Sequence, residues 1–191
     1  MAYRPIEIAR FEEEGFERIR TRGTQAVYAS VPRRRALLSW YDGVVYLDED
    51  AVIVDPTIDL RSYVSEETPV AMPEGLTAAV QVLQTTHYTR DLLKRCWDER
   101  DHWVNFHWAE EGFFKHEFGW DQWFEHGDPS RFVATTPATG KLVLLPKAIV
   151  GHPLDEEGAG AAILNPGGQS FDRRLQLVKE AMQRRAELFP T

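Results

Sequence analysis

Asp48, Glu49 and Asp50 stand in a row directly after the β-branched run GVVYL (43–47). A strand that ends on carboxylates puts hard oxygen donors where open α/β sheets bind ligands, just outside the carboxyl ends of the strands. If extended geometry persists through Asp50, alternation turns Asp48 and Asp50 to one side and Glu49 to the other. Two carboxylates on one side, next to a turn, suit a Mg²⁺ or Mn²⁺ ion that also carries a diphosphate. The same tripeptide also serves as a solvated junction between strand and loop.

Other chemistry-bearing groups lie nearby in the sequence. Arg33, Arg34 and Arg35 form a basic run ahead of the strand, suited to facing phosphates or to making a solvated helix face. His87, His102, His107, His116 and His126 show no regular ligand spacing. Five of the six tryptophans, Trp97, Trp103, Trp108, Trp120 and Trp123, fall within 27 residues, interleaved with phenylalanines. That density serves core packing and, where a ring reaches the surface, a platform for the C–H faces of sugars.

These groups need a scaffold. With 191 residues, 43% apolar and 12% aromatic, the chain can bury one sizeable core, so a single domain over 1–191 is expected. A net charge of -8 and a pI near 5.3 argue against a surface that binds phosphate backbones, and hence against nucleic acid as a partner. The single cysteine, Cys96, excludes an intramolecular disulfide and a multi-cysteine zinc site, and points to the reducing cytosol. No apolar run reaches the roughly eighteen residues of a membrane span, and the first residues lack the pattern of a secretory signal, so a cytoplasmic protein is expected.

Periodicity predicts a helix over 5–20, with Ile8, Phe11 and Ile19 on one stripe, and a second from about Pro32 carrying Ala36, Leu37 and Leu38. Strands are expected at 43–47, 69–72, 78–84, 131–136 and 141–146, and a helix from 86 to about 101 with Tyr88, Leu92, Leu93 and Cys96 inward. Residues 155–168 read as a loop, and 170–189 as a closing amphipathic helix with Phe171, Leu175, Val178 and Met182 inward. Strands alternating with helices predict an α/β fold with a mainly parallel sheet covered on both faces.

In order along the chain, four motifs resemble those of GT-A glycosyltransferases, most closely the family 34 group of galactosyl-, mannosyl- and xylosyltransferase-like proteins. They are LDEDAVIVDP (47–56) after the helix VPRRRALLSW, TAAVQVLQTTHYTRDLLKRCWDE (77–99), WDQW (120–123) and IVGHP (149–153). The resemblance spans roughly residues 5 to 185.

It implies a GT-A-like α/β fold and a nucleotide-sugar-dependent transferase that moves a hexose or pentose to a carbohydrate or other hydroxyl acceptor with retention of configuration. It further implies that Asp48 and Asp50 bind Mn²⁺ or Mg²⁺ with His152 as third ligand. Asp48, Thr77 and Arg33 would contact the donor. Asp121 and Gln122 would lie near the anomeric carbon, Gln122 against the donor sugar and Asp121 stabilising positive charge or binding hydroxyls. The physical chemistry agrees, since a cation on the diphosphate lowers the barrier to its departure.

The chain departs from the family in places. It opens on MAYRPIEIARFEEEG, which resembles the helix after the family's first strand, so an N-terminally shortened domain is expected. The family's Asn-Ala-Gly is here Thr77-Ala78-Ala79, and the Lys before the arginine-rich helix is replaced within Tyr28-Ala29-Ser30. These losses motivate the rival reading, a degenerate GT-A-like domain that binds nucleotide or carbohydrate without turnover. A metal-dependent phosphohydrolase is a third reading and needs a second acidic cluster, for which Glu110, Glu111 and 155–157 are the candidates.

Overall fold

The computed structural model describes residue 28 and residues 30–103, 110–118, 140–167 and 169–190. The expected helix over 5–20, the strand over 131–136, and Asp121 and Gln122 lie outside the described residues. Among those described, the elements run α1 (Ser30–Leu37), β1 (Gly43–Leu47), β2 (Val52–Ile53), a 3-10 turn (Leu60–Tyr63), β3 (Val70–Pro73) and β4 (Val80–Gln84). They continue with α2 (His87–Asp98), α3 (Arg100–Trp103), α4 (Glu110–Glu117), β5 (Leu142–Leu145), β6 (Val150–Gly151), β7 (Ile163–Leu164) and α5 (Phe171–Leu188).

The α/β expectation holds, and the sheet is mixed. The larger sheet has the order β1-β4-β3-β5, in which β4 is antiparallel to both β1 and β3 while β3 and β5 are parallel. Thus β1, β3 and β5 run one way, and β4 runs against them between β1 and β3. The cause is loop length: only Glu74–Ala79 separates β3 from β4, too short for a crossover, whereas the path from β3 to β5 passes through helices. The expectation of mainly parallel pairing is corrected accordingly.

Strand alternation divides the core. Val44, Val70, Met72, Leu83 and Leu142 face Val31, Leu92, Leu93, Phe113 and Phe114 of the helices, and Ala71, Val80, Val82 and Leu145 face Leu60, Val150 and Ile163. The helix α2 starts at a reciprocal cap in which the Thr86 hydroxyl accepts from the Thr89 N–H at 3.2 Å and the Thr89 hydroxyl from the Thr86 N–H at 3.0 Å.

A smaller sheet, β2-β7-β6, lies on the second core. Its middle strand β7 falls within the segment expected to be a loop. Two residues are too few for periodicity to show, yet Ile163 and Leu164 pair with β2 on one side and β6 on the other. α5 forms as expected but is turned about its axis. Leu177 and Ala181 are buried, with Val178 against Val52, Val54, Ala161 and Leu164, while Phe171, Leu175 and Met182 are exposed. The stripe of largest apolar residues is therefore not the buried one, because the surface formed by β2 and β7 takes the narrower face.

Candidate functional site

The carboxyl ends of β1, β3 and β5 and the start of β4 share one edge of the larger sheet. Register brings Leu47 opposite Val80, and the Asp48 N–H donates to the Ala79 carbonyl at 2.8 Å. Asp48 and the turn carrying Thr77 are thereby neighbours. That turn is tight, with Gly75 at φ 92° and the buried Leu76 at φ 54°, a left-handed conformation that a branched apolar residue holds only under constraint.

Asp48 follows Val44 and Tyr46 on the helix-facing side of β1. Its half-buried carboxylate accepts the Tyr46 hydroxyl at 2.8 Å. Burial raises its pKa above the ordinary aspartate range and the nearby Asp50 adds to the rise, against the lowering effects of the Tyr46 hydrogen bond and Arg34. Extended geometry stops at Leu47. The Ala51 N–H returns to the Asp48 carbonyl at 3.0 Å, closing a turn, so the two aspartates do not share a strand face. Asp50 instead pairs with Arg174 of α5, Nη1 to Oδ2 at 3.0 Å, and Glu49 is exposed.

Beneath this edge lies a buried ionic layer. Arg34, Gln81 and Glu110 are all at most 2% exposed, and the Arg34 guanidinium donates to Gln81 Oε1, to Glu110 Oε2 and, at 3.0 Å, to Ser30 Oγ. Burial raises the Glu110 pKa, and Arg34 opposes the rise. Glu111 is likewise raised by burial and held by Lys115 and the Ala78 N–H, next to Thr77. Both glutamates feel the charge of Asp48. Each has its own cation, so they do not form the open second acidic cluster that a two-metal phosphohydrolase needs. Asp155 and Glu157 are tied to Lys147 at 2.9 and 3.0 Å.

His152 follows β6, at the same end of the smaller sheet as Asp50. Pairing of Val52 and Gly151 with the common partner Leu164 sets their strands two spacings apart, roughly 10 Å. Its loop is packed against the strand: a Cβ on Gly151 would collide with the Gly158 backbone. The imidazole Nδ1 accepts the Leu154 N–H at 3.2 Å, which makes Nε2 the donor to the Gly167 carbonyl, also at 3.2 Å. So bonded, His152 has no lone pair free for a metal.

Among the described residues no three His, Cys, Asp or Glu side chains converge tightly enough to hold a metal ion on their own. Asp48 and Asp50 are the two that would hold one. They are neighbouring hard oxygen donors, and Asp50 already accepts a cation in the form of Arg174. Arg33 is exposed on α1. In the described part of the aromatic segment, Trp103, Phe113, Phe114 and Phe118 are core residues, while Trp108, Trp120 and Trp123 lie outside the described residues. The residues around Asp48 and Asp50 that the sequence does not mark are Tyr46 and Arg174, and alternation from Asp48 back to Tyr46 is the one signal available for either; Glu110 and Glu111, expected as a possible second acidic cluster, are instead each paired with a cation.

Neither a protein-family model nor a curated protein matches the sequence. A solved structure does resemble the fold: the crystal structure of a glycosyltransferase involved in the glycosylation of the major capsid of PBCV-1, at a TM-score of 0.54 and 13% identity, covering 90% of this chain and 81% of that chain. At that identity the likeness is one of fold, and it supports the expected GT-A-like α/β architecture. No helix among the described residues is long and apolar enough to cross a membrane.

Proposed function

We propose that this chain is a glycosyltransferase, moving a hexose or pentose from a nucleoside diphosphate sugar to a carbohydrate or other hydroxyl acceptor. The observation that carries this reading is the placement of Asp48 beside the Thr77 turn at the carboxyl edge of a GT-A-like sheet. The motif resemblance to family 34 supports retention of configuration and assigns Asp121 and Gln122 to the donor sugar.

Asp48 and Asp50 would hold Mn²⁺ or Mg²⁺, which supplies Lewis-acid charge to the departing diphosphate. Tyr46 orients the Asp48 carboxylate, and Thr77 offers a hydroxyl to the donor from the neighbouring turn. His152 would join the ligands by giving up its Leu154 contact. Arg33, exposed on α1, would contact a donor phosphate. The competing reading, binding without turnover, is favoured by the internal partners that Asp50 and His152 already have.

Incubation with a panel of nucleoside diphosphate sugars and Mn²⁺, read as release of the nucleoside diphosphate, tests the proposal. Turnover lost in Asp48→Asn and Asp50→Asn is the expected result. Metal-dependent nucleotide binding with no release from any donor would select the non-catalytic reading.

A further inference from the structure

Asp50 is 15% exposed and Arg174 36%, so their ion pair is partly shielded from solvent. The Arg174 Nε is buried and has no hydrogen-bond partner, leaving part of the guanidinium uncommitted. The helix that carries it is fixed. Leu177 and Ala181 are buried one and two turns further on, and Arg184 donates to the carbonyls of Ala159 and, at 3.1 Å, Gly160. Only the Arg174 side chain has to move for Asp50 to change partner.

We propose that Arg174 is the resident counter-ion of Asp50, the cation that a divalent ion must displace, and that the displaced guanidinium then takes the donor's diphosphate. This rests on the proposed glycosyl transfer. A divalent ion brings twice the charge of the guanidinium to the same carboxylate and so wins the exchange at sufficient concentration. The released fork has the planar donor geometry that phosphate oxygens accept in pairs, and a single-point ammonium does not. Metal binding and diphosphate binding are thereby linked through one side chain, which alternates between the carboxylate and the substrate.

The two halves of the exchange push affinities in opposite directions. Mn²⁺ alone, followed by the loss of its free electron paramagnetic resonance signal, should bind Arg174→Ala about three- to tenfold more tightly than the wild type, as expected for removal of a partly exposed competing ion pair. Inorganic pyrophosphate at saturating Mn²⁺, followed calorimetrically, should bind Arg174→Ala on the order of tenfold more weakly. Arg174→Lys keeps the competing charge and loses the fork, so its Mn²⁺ affinity should stay near wild type while pyrophosphate binding falls. A variant that is only structurally damaged would lose both affinities together, and that result overturns the proposal, as does no change in either. Wild type and Asp50→Asn binding Mn²⁺ equally would remove the metal reading itself and this inference with it. Asp50-dependent Mn²⁺ binding that ignores Arg174 would overturn the counter-ion role alone.

Discussion

The Arg34 guanidinium carbon lies 4.3 Å from the centre of the Tyr46 ring, on the helix side of the larger sheet. The same ring sends its hydroxyl to Asp48, so one side chain joins the buried ionic layer to the carboxylate at the sheet edge. A cation over an aromatic face and a hydroxyl on a carboxylate are each modest interactions. In series with Glu110 and Gln81 they fix where Asp48 points, and a site gains from such support because its carboxylate is then held before any ligand arrives.

The buried pair should behave asymmetrically in stability. Arg34→Met leaves the Glu110 carboxylate buried without its cation, at a cost of about 3–5 kcal/mol. Adding Glu110→Leu in the same chain removes the stranded charge and should recover much of that loss. Urea unfolding of wild type, the single variant and the double variant measures both steps. Equal destabilisation in the single and double variants would mean that packing, not charge, dominates at Arg34.

Tyr46→Phe removes one hydroxyl from the edge and leaves the ring under Arg34. Its effect on stability should be small, about 1 kcal/mol. Binding should suffer more than stability, because Asp48 loses the hydrogen bond that orients it. Thermal shifts with nucleoside diphosphate and Mn²⁺ compare the two: the ligand-induced shift should shrink several-fold in the variant while the ligand-free melting temperature moves by only a few degrees. An undiminished ligand shift would show that Asp48 needs no such support.

Much of the scaffold is legible because its signals are local. GVVYL ends in carboxylates and is a strand ending at an edge; Leu92, Leu93 and Cys96 repeat at helical spacing and are buried. What is not legible depends on distant partners. Arg34 looks like its neighbours Arg33 and Arg35 in sequence, and only the arrival of Gln81 and Glu110, 47 and 76 residues away, makes it a core residue. Asp50 is separated from Arg174 by 124 residues, and no periodicity can link them. The rotation of α5 has the same origin, since the narrow surface of Val52, Val54, Ala161 and Leu164 selects Ala181 over the larger Met182.

Cys96 should be chemically silent in the folded protein. It is fully buried, and burial, together with the charge of Glu110, raises its thiol well above the usual range, so the reactive thiolate is scarce and shielded. Titration with a chromogenic disulfide reagent should find no fast-reacting thiol under native conditions and one per chain in denaturant. A rapid reaction in the native state would indicate that α2 opens locally.

Acid should loosen the loop that carries His152 before it affects the core. The Lys147 ammonium and the Glu157 N–H hold the Asp155 pKa below the ordinary range. A depressed carboxyl stabilises the fold above its unfolded pKa of about 3.9, and that contribution disappears as pH falls through the lower folded value. The loop is thus fully tied at neutral pH and is released only below about pH 4. Its release also frees the turn in which the Ala159 N–H donates to the Asp155 carbonyl at 2.7 Å, and with it the Gly151–Gly158 contact that shapes the His152 backbone. Backbone hydrogen-exchange protection at 155–159, corrected for intrinsic rates, should therefore be higher in the wild type than in Lys147→Met at pH 5, and the difference should shrink as pH falls below about 4. Equal protection in the wild type and Lys147→Met at pH 5 would mean that glycine packing alone holds the loop, with Lys147 contributing only on the surface.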